Sequence, residues 1–147
     1  MWILLTVDAF RSRLTSAELT ALRTVQVDTH QPDPADEALR RSVEEARGYL
    51  GARPGGKLGP MRTVPPQLEG PVMDLARYRL CTRLAVGRVG STLLPEAREQ
   101  EYKDALRLLR DVAAGKYSVE DPEDVSETLG NDASSPRITP RPEARLP

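Results

Sequence analysis

Cysteine, histidine, phenylalanine and tryptophan each occur once in this 147-residue chain. A single cysteine, Cys81, excludes an intrachain disulfide and fits a reducing compartment; in a helical stretch it reads as a small buried residue. His30 has no second imidazole and no nearby cysteine at a ligand spacing, so no metal centre is expected. No apolar run approaches the ~18–20 residues that span a bilayer. Trp2-Ile3-Leu4-Leu5 is too short for an export signal, has no basic leader and runs into Asp8 and Arg11. Charge of one sign is missing as well. A formal net charge of -1 gives no bulk attraction to nucleic acid or to an anionic membrane.

What remains is helix-forming sequence broken by 13 prolines and 10 glycines. The length fits one domain. With Pro and Gly gathered outside the helical stretches, the core is modest, and partner contacts are expected to matter. Trp2–Leu5 is an apolar entry, either extended or packed beneath the domain. Thr6 caps a short helix over residues 7–14, with Val7, Phe10 and Leu14 on one side. Thr15-x-x-Glu18 is a capping box before Leu19 and Leu22. Residues 24–32 have no period and read as a loop. Asp33-Pro34-Ala35-Asp36 starts the next helix, whose stripe is Ala35, Leu39, Val43, Ala46 and Leu50, and which stops at Gly51. Residues 51–66 form a long basic loop with Arg53, Lys57 and Arg62.

A third helix is predicted over residues 66–84, with Leu68, Val72, Met73, Leu75, Ala76, Leu80 and Leu84 on a wide apolar arc. Gly70-Pro71 is expected to kink or restart it. The last helix opens at Leu94-Pro95-Glu96, buries Ala105, Leu106, Leu109, Val112 and Ala113 with Tyr102, and ends at a Gly115 cap. Residues 116–119 look extended. From Glu120 onward periodicity ends, and the acidic then proline-rich tail cannot fold alone; it is either disordered or laid on a neighbour.

Two patterns are decoys. Residues 51–57, Gly-Ala-Arg-Pro-Gly-Gly-Lys, have the spacing of a phosphate loop, but Leu58 replaces the magnesium-binding hydroxyl and no helix follows. Glu99, Glu101 and Asp104 read as surface charge on the last helix. No catalytic constellation emerges, and the chain is expected not to be an enzyme. Arg79 falls inside the apolar arc of the third helix. It is either a snorkelling or intramolecularly paired residue that fixes helix register, or one half of an inter-subunit or core pair with a carboxylate such as Asp104 or Asp111. Arg77 and Tyr78 fall on the more polar side.

Val64-Pro65-Pro66, residues 74–80 (Asp-Leu-Ala-Arg-Tyr-Arg-Leu) and residues 102–116 (Tyr-Lys-Asp-Ala-Leu-Arg-Leu-Leu-Arg-Asp-Val-Ala-Ala-Gly-Lys) occur in this order. With residues 6–14 they resemble the head–tail connector (adaptor, neck) proteins of Mu-like bacteriophages and prophages, over roughly the first four-fifths of the chain. The resemblance implies an all-α fold: a small bundle of three long helices plus short N-terminal helices, with an extended C-terminal arm. Residues 1–119 are then the connector domain and residues 120–147 the arm. It further implies a virion protein of the neck, present in the host cytoplasm during assembly. Such a protein forms a ring, usually twelvefold, beneath the portal and continues the DNA channel. The implied partners are the portal protein, neighbouring copies, the next neck or tail protein and genomic DNA passing non-specifically, with no membrane and no cofactor. Arg77, Tyr78 and Arg79 are candidate subunit contacts. Arg137, Ile138, Arg141, Arg145 and Leu146 are candidate anchors of the arm. Arg53, Lys57 and Arg62 are candidates to line the channel or touch the portal. The alternative is a small helical DNA-binding regulator, against which stand the net charge and the lack of a basic recognition helix.

Overall fold

The computed structural model describes residues 1–25, 32–85 and 95–123. The fold is all-α apart from one small ribbon. Strand β1 (Ile3–Leu4) leads into α1 (Val7–Arg11) and α2 (Ser16–Val25). The long helix α3 (Pro34–Ala52) follows, then β2 (Thr63–Val64), a 3-10 turn (Pro66–Leu68), α4 (Glu69–Ala85) and α5 (Glu96–Ala113).

Local chemistry sets most of the boundaries. The Thr6 hydroxyl accepts from the Ala9 amide at 3.2 Å and caps α1. α1 is one turn shorter than expected. Leu14 reaches the core from the turn after it, which amides 13 and 14 close by bonding the carbonyls three residues back. At α2 the capping box is reciprocal: Glu18 N–H donates to Thr15 Oγ1, and Thr15 N–H donates to Glu18 Oε2, both at 3.3 Å. The helix runs through Thr24 and Val25, which the sequence had placed in a loop. Within it the Thr24 hydroxyl is satisfied by donating to the Thr20 carbonyl at 2.9 Å. The remainder of that expected loop, with His30, lies mostly outside the described residues.

Asp33 Oδ1 accepts from the Ala35 amide at 3.0 Å, with Pro34 in the first turn of α3. The whole expected stripe of α3 is buried. After α3 the chain turns at Gly55, whose φ is +69°. At Gly56 a Cβ would stand 2.4 Å from the Gly51 carbonyl oxygen, so no larger residue fits.

The segment after α3 is more than a loop. Ile3 pairs with Val64 and Leu4 with Thr63 in an antiparallel ribbon, and Val64 and Pro65 are buried. The ribbon settles how Trp2–Leu5 is used: it is extended and packed against the domain. Gly59 is required there, because a Cβ would come within 2.8 Å of the Trp2 ring.

Gly70-Pro71 neither kinks nor restarts α4. Both residues sit in its first turn, where an N–H has no intrahelical acceptor to lose. The change of helix type comes earlier, between Leu68 and Glu69. α4 is the central element, packed along both α3 and α5, which also touch each other. α1 leans on α3 and α2 on α4. Leu75, Leu80 and Leu109 are fully buried, each worth about 1.5–3 kcal/mol of transfer free energy. α5 ends in a Schellman turn: Gly115 (φ +77°) donates to the Val112 carbonyl and Lys116 to that of Asp111, at 3.1 and 2.8 Å.

Contacts with the bundle continue past residue 119. Val119 is buried, and Trp2 Nε1 donates to the Glu120 carbonyl at 2.8 Å. Asp121 accepts from Arg53 at 3.0 Å. The first residues of the expected arm, Glu120 and Asp121, thus lie against the bundle. The rest of it, with Arg137, Ile138, Arg141, Arg145 and Leu146, lies outside the described residues.

Candidate functional site

Arg77, Tyr78 and Arg79 are consecutive on α4, so the ~100° step of a helix sends them to three different neighbours. Arg77 turns to α2, where its Nε lies 3.1 and 3.0 Å from the two carboxylate oxygens of Glu18. Arg98 of α5 reaches the same carboxylate at 3.3 Å and also bonds Glu101. Glu18 is only 3% exposed. Burial pushes its pKa up, but hydrogen bonds from Arg77 and the Thr15 amide, with the charges of Arg77 and Arg98, outweigh that and hold it below the ordinary value. Arg77 is thus committed within the chain, a contact that ties α2, α4 and α5 together.

Tyr78 stacks on Tyr102 of α5, with ring centroids 4.2 Å apart and planes 18° off parallel. Arg79 turns to α3, donating to Ser42 Oγ at 3.3 Å and pairing with Glu45. Of the two readings of Arg79, the pair is one made within the chain, and neither Asp104 nor Asp111, the examples named for a core or inter-subunit pair, is the acceptor. The partner is Glu45 because α3, and not the polar side of α5, flanks that face of α4. One turn on, Arg83 pairs with Glu37 at 2.7 Å, and Arg41 holds the same carboxylate at 2.9 Å. The Arg83 hydrogen bond and the charges of Arg41 and Arg83 keep the Glu37 carboxyl below its ordinary range.

Between α3 and the Tyr78–Tyr102 stack lies an open groove of about 700 Å³. Its floor includes Ala38 and the two tyrosines, and its walls include Glu44, Glu45 and Arg83. A smaller groove of about 360 Å³ lies on the other flank of α3, bounded by Leu5, Val43, Met61 and Arg62.

The three basic loop residues separate. Arg53 is not presented to a channel: its side chain is only 9% exposed, and it holds the Lys57 carbonyl and the Asp121 carboxylate. Lys57 and Arg62 are exposed. Arg62 occupies the left-handed region at φ +66°, a position that favours glycine. It is third in a turn closed by a Thr63 N–H to Pro60 carbonyl bond of 3.2 Å.

The turn is held by a residue that the sequence reading missed. Arg47 donates to the carbonyls of Gly59, Pro60 and Thr63 at 3.0, 2.9 and 2.6 Å, and its guanidinium lies 5.9 Å from the Trp2 ring centroid. Only its place off the apolar stripe of α3 was visible beforehand. Glu18 was visible as a capping residue and not as an acceptor for two arginines.

Residues 51–57 span the C-terminal end of α3, where carbonyls rather than N–H groups face outward, so they do not form an amide cradle for phosphate. Cys81 is buried, and burial pushes its thiol up to about 12. Asp74 is raised, first by burial and then by the charge of Glu101. Among the described residues no helix is long and apolar enough to cross a membrane.

The motif residues bind neighbouring helices of the same chain, and the whole is a small all-α domain with two open grooves beside α3. The family model described as Bacteriophage Mu, Gp36 matches residues 5–135, and the chain belongs to that phage protein family. No curated protein and no solved structure matches it.

Proposed function

We propose that this chain is a structural virion protein, a head–tail connector that forms a ring beneath the portal and continues the DNA channel toward the tail. The observation that carries the reading is the family match over residues 5–135, on a helical domain with its two motif helices at the centre. Supporting it, the motif residues Arg77 and Arg79 are paired within the domain, with Glu18 and Glu45, and grooves are left open on both flanks of α3 for partners. In this reading the partners are the portal, neighbouring copies and the next neck or tail protein, and DNA passes without base reading. The portal or channel contact of the loop falls to Lys57, Arg53 being used within the domain.

The deciding experiment is copurification of the tagged chain with its portal, together with imaging of the particle neck. Density for a ring at the head–tail junction that disappears when the gene is deleted supports the reading. Infectious virions that lack the polypeptide overturn it.

A further inference from the structure

Two large apolar side chains, one in the ribbon and one in the turn that leads into it, are exposed. Met61 is 84% exposed and Leu4 60%. Met61 stands at the tip of a turn that is both costly and rigid. Arg62 beside it takes a left-handed conformation that a glycine would hold more easily. Five bonds keep it there: three from Arg47, the Thr63 N–H bond that closes the turn, and one from the Thr63 hydroxyl to the Pro60 carbonyl at 2.6 Å. The tip thus presents a thioether and a guanidinium, neither of which contributes to the core.

The complementary surface is on the other flank of α3. The larger groove offers two stacked tyrosine rings, which suit a methionine sulfur. On the ridge of α3 beside it stands Glu44, which borders both grooves. Among the described residues neither Glu44 nor Arg62 makes an ion pair or side-chain hydrogen bond. The α3 residues bordering the two grooves lie roughly 150° apart at ~100° per residue. Glu44 shares the smaller groove with Arg62, but the two tyrosines border only the larger one; a tip and a tyrosine receptor on opposite flanks match through a head-to-tail contact, the kind that closes into a ring when the rotation allows.

We infer that the Met61–Arg62 tip of one copy seats in the α3/α4/α5 groove of the next, with Met61 against Tyr78 and Tyr102 and Arg62 on Glu44. The inference deepens the connector reading by naming the surfaces through which neighbouring copies meet.

The test uses the full chain in phage-producing cells, with incorporation into particles measured by mass spectrometry. Arg62→Glu and Glu44→Arg, each alone, place like charges across every contact and lower incorporation by roughly tenfold or more. Expressed together, the two variants restore it: in alternating copies the charge-reversed tip meets the charge-reversed groove, and the unaltered tip meets the unaltered groove. A variant that simply misfolds cannot be rescued in this way. Full incorporation of either single variant, or no rescue on mixing, overturns the inference.

A photocross-linking residue at Met61 provides a second measurement. A self-adduct on the peptide containing Tyr78 supports the contact. An adduct only with another virion protein overturns it and leaves the connector reading standing. If the wild-type chain is missing from particles, the connector reading fails, and cross-linking of the concentrated purified chain decides the contact separately: a self-adduct at Tyr78 supports it and its absence overturns it.

Discussion

Glu18 Oε2 accepts from Arg77 Nε at 3.0 Å, joining residues 59 positions apart, and the same carboxylate takes a second guanidinium from Arg98. One side chain therefore caps α2 from within and fastens it to α4 and α5. Removing a buried acceptor leaves two arginines facing each other without their counter-charge, which costs more than the pair itself contributes.

Glu18→Ala is accordingly expected to destabilise the domain by about 3–5 kcal/mol. Arg79→Leu, whose partner Glu45 is itself partly exposed, is expected to cost about 1 kcal/mol or less. Thermal or urea denaturation of the two variants beside the wild type gives both numbers. Equal losses would sink the distinction.

Glu18 and Asp74 shift in opposite directions, and so do their effects on stability. The folded-state pKa of Glu18 is depressed, so its contribution is complete above its ordinary value of 4.5 and is lost as pH falls through the lower folded value. Asp74 is raised above 3.8, so its ionised form weighs against the fold once pH rises through the folded value. Asp74→Asn is expected to raise the melting temperature at pH 7, with the gain shrinking toward pH 3. A variant that melts lower than wild type at pH 7 would show that Asp74 is a useful charge.

Arg47→Ala removes three carbonyl contacts and the cation over Trp2. A cost of about 2–3 kcal/mol is expected, with faster hydrogen exchange at amides 61–64 and little change along α4 and α5. Unchanged exchange in that segment would mean that the ribbon holds the turn without Arg47.

The contacts of Glu120 and Asp121 predict where the chain can be cut. A chain ending at Val119 loses the Trp2–Glu120 and Arg53–Asp121 contacts. It is expected to melt below a chain ending at Glu123 and to show red-shifted Trp2 emission. Identical melting of the two would place the end of the domain at Val119.

Cys81, buried and with its thiol pushed up to about 12, is expected to resist a thiol reagent at pH 8 in native buffer and to react fully in urea. Rapid native labelling would show that α4 opens.

Features within one or two turns of chain could be read from the sequence. Asp33-Pro34, Thr15-x-x-Glu18 and Gly115 each act on backbone groups a few residues away, and the apolar stripes of α3, α4 and α5 follow from helical period alone. The all-α fold and the long central helices were decided at that level. Which charge meets which was not. Arg79 has carboxylates available on both α3 and α5, and only the packing of α3 along that face of α4 selects Glu45. The pairing of Ile3 with Val64, the hold of Arg47 on the turn, and the contacts of Glu120 and Asp121 with the bundle have the same origin. Each joins segments with no periodic relation, and the closing of the bundle brings them within hydrogen-bond reach.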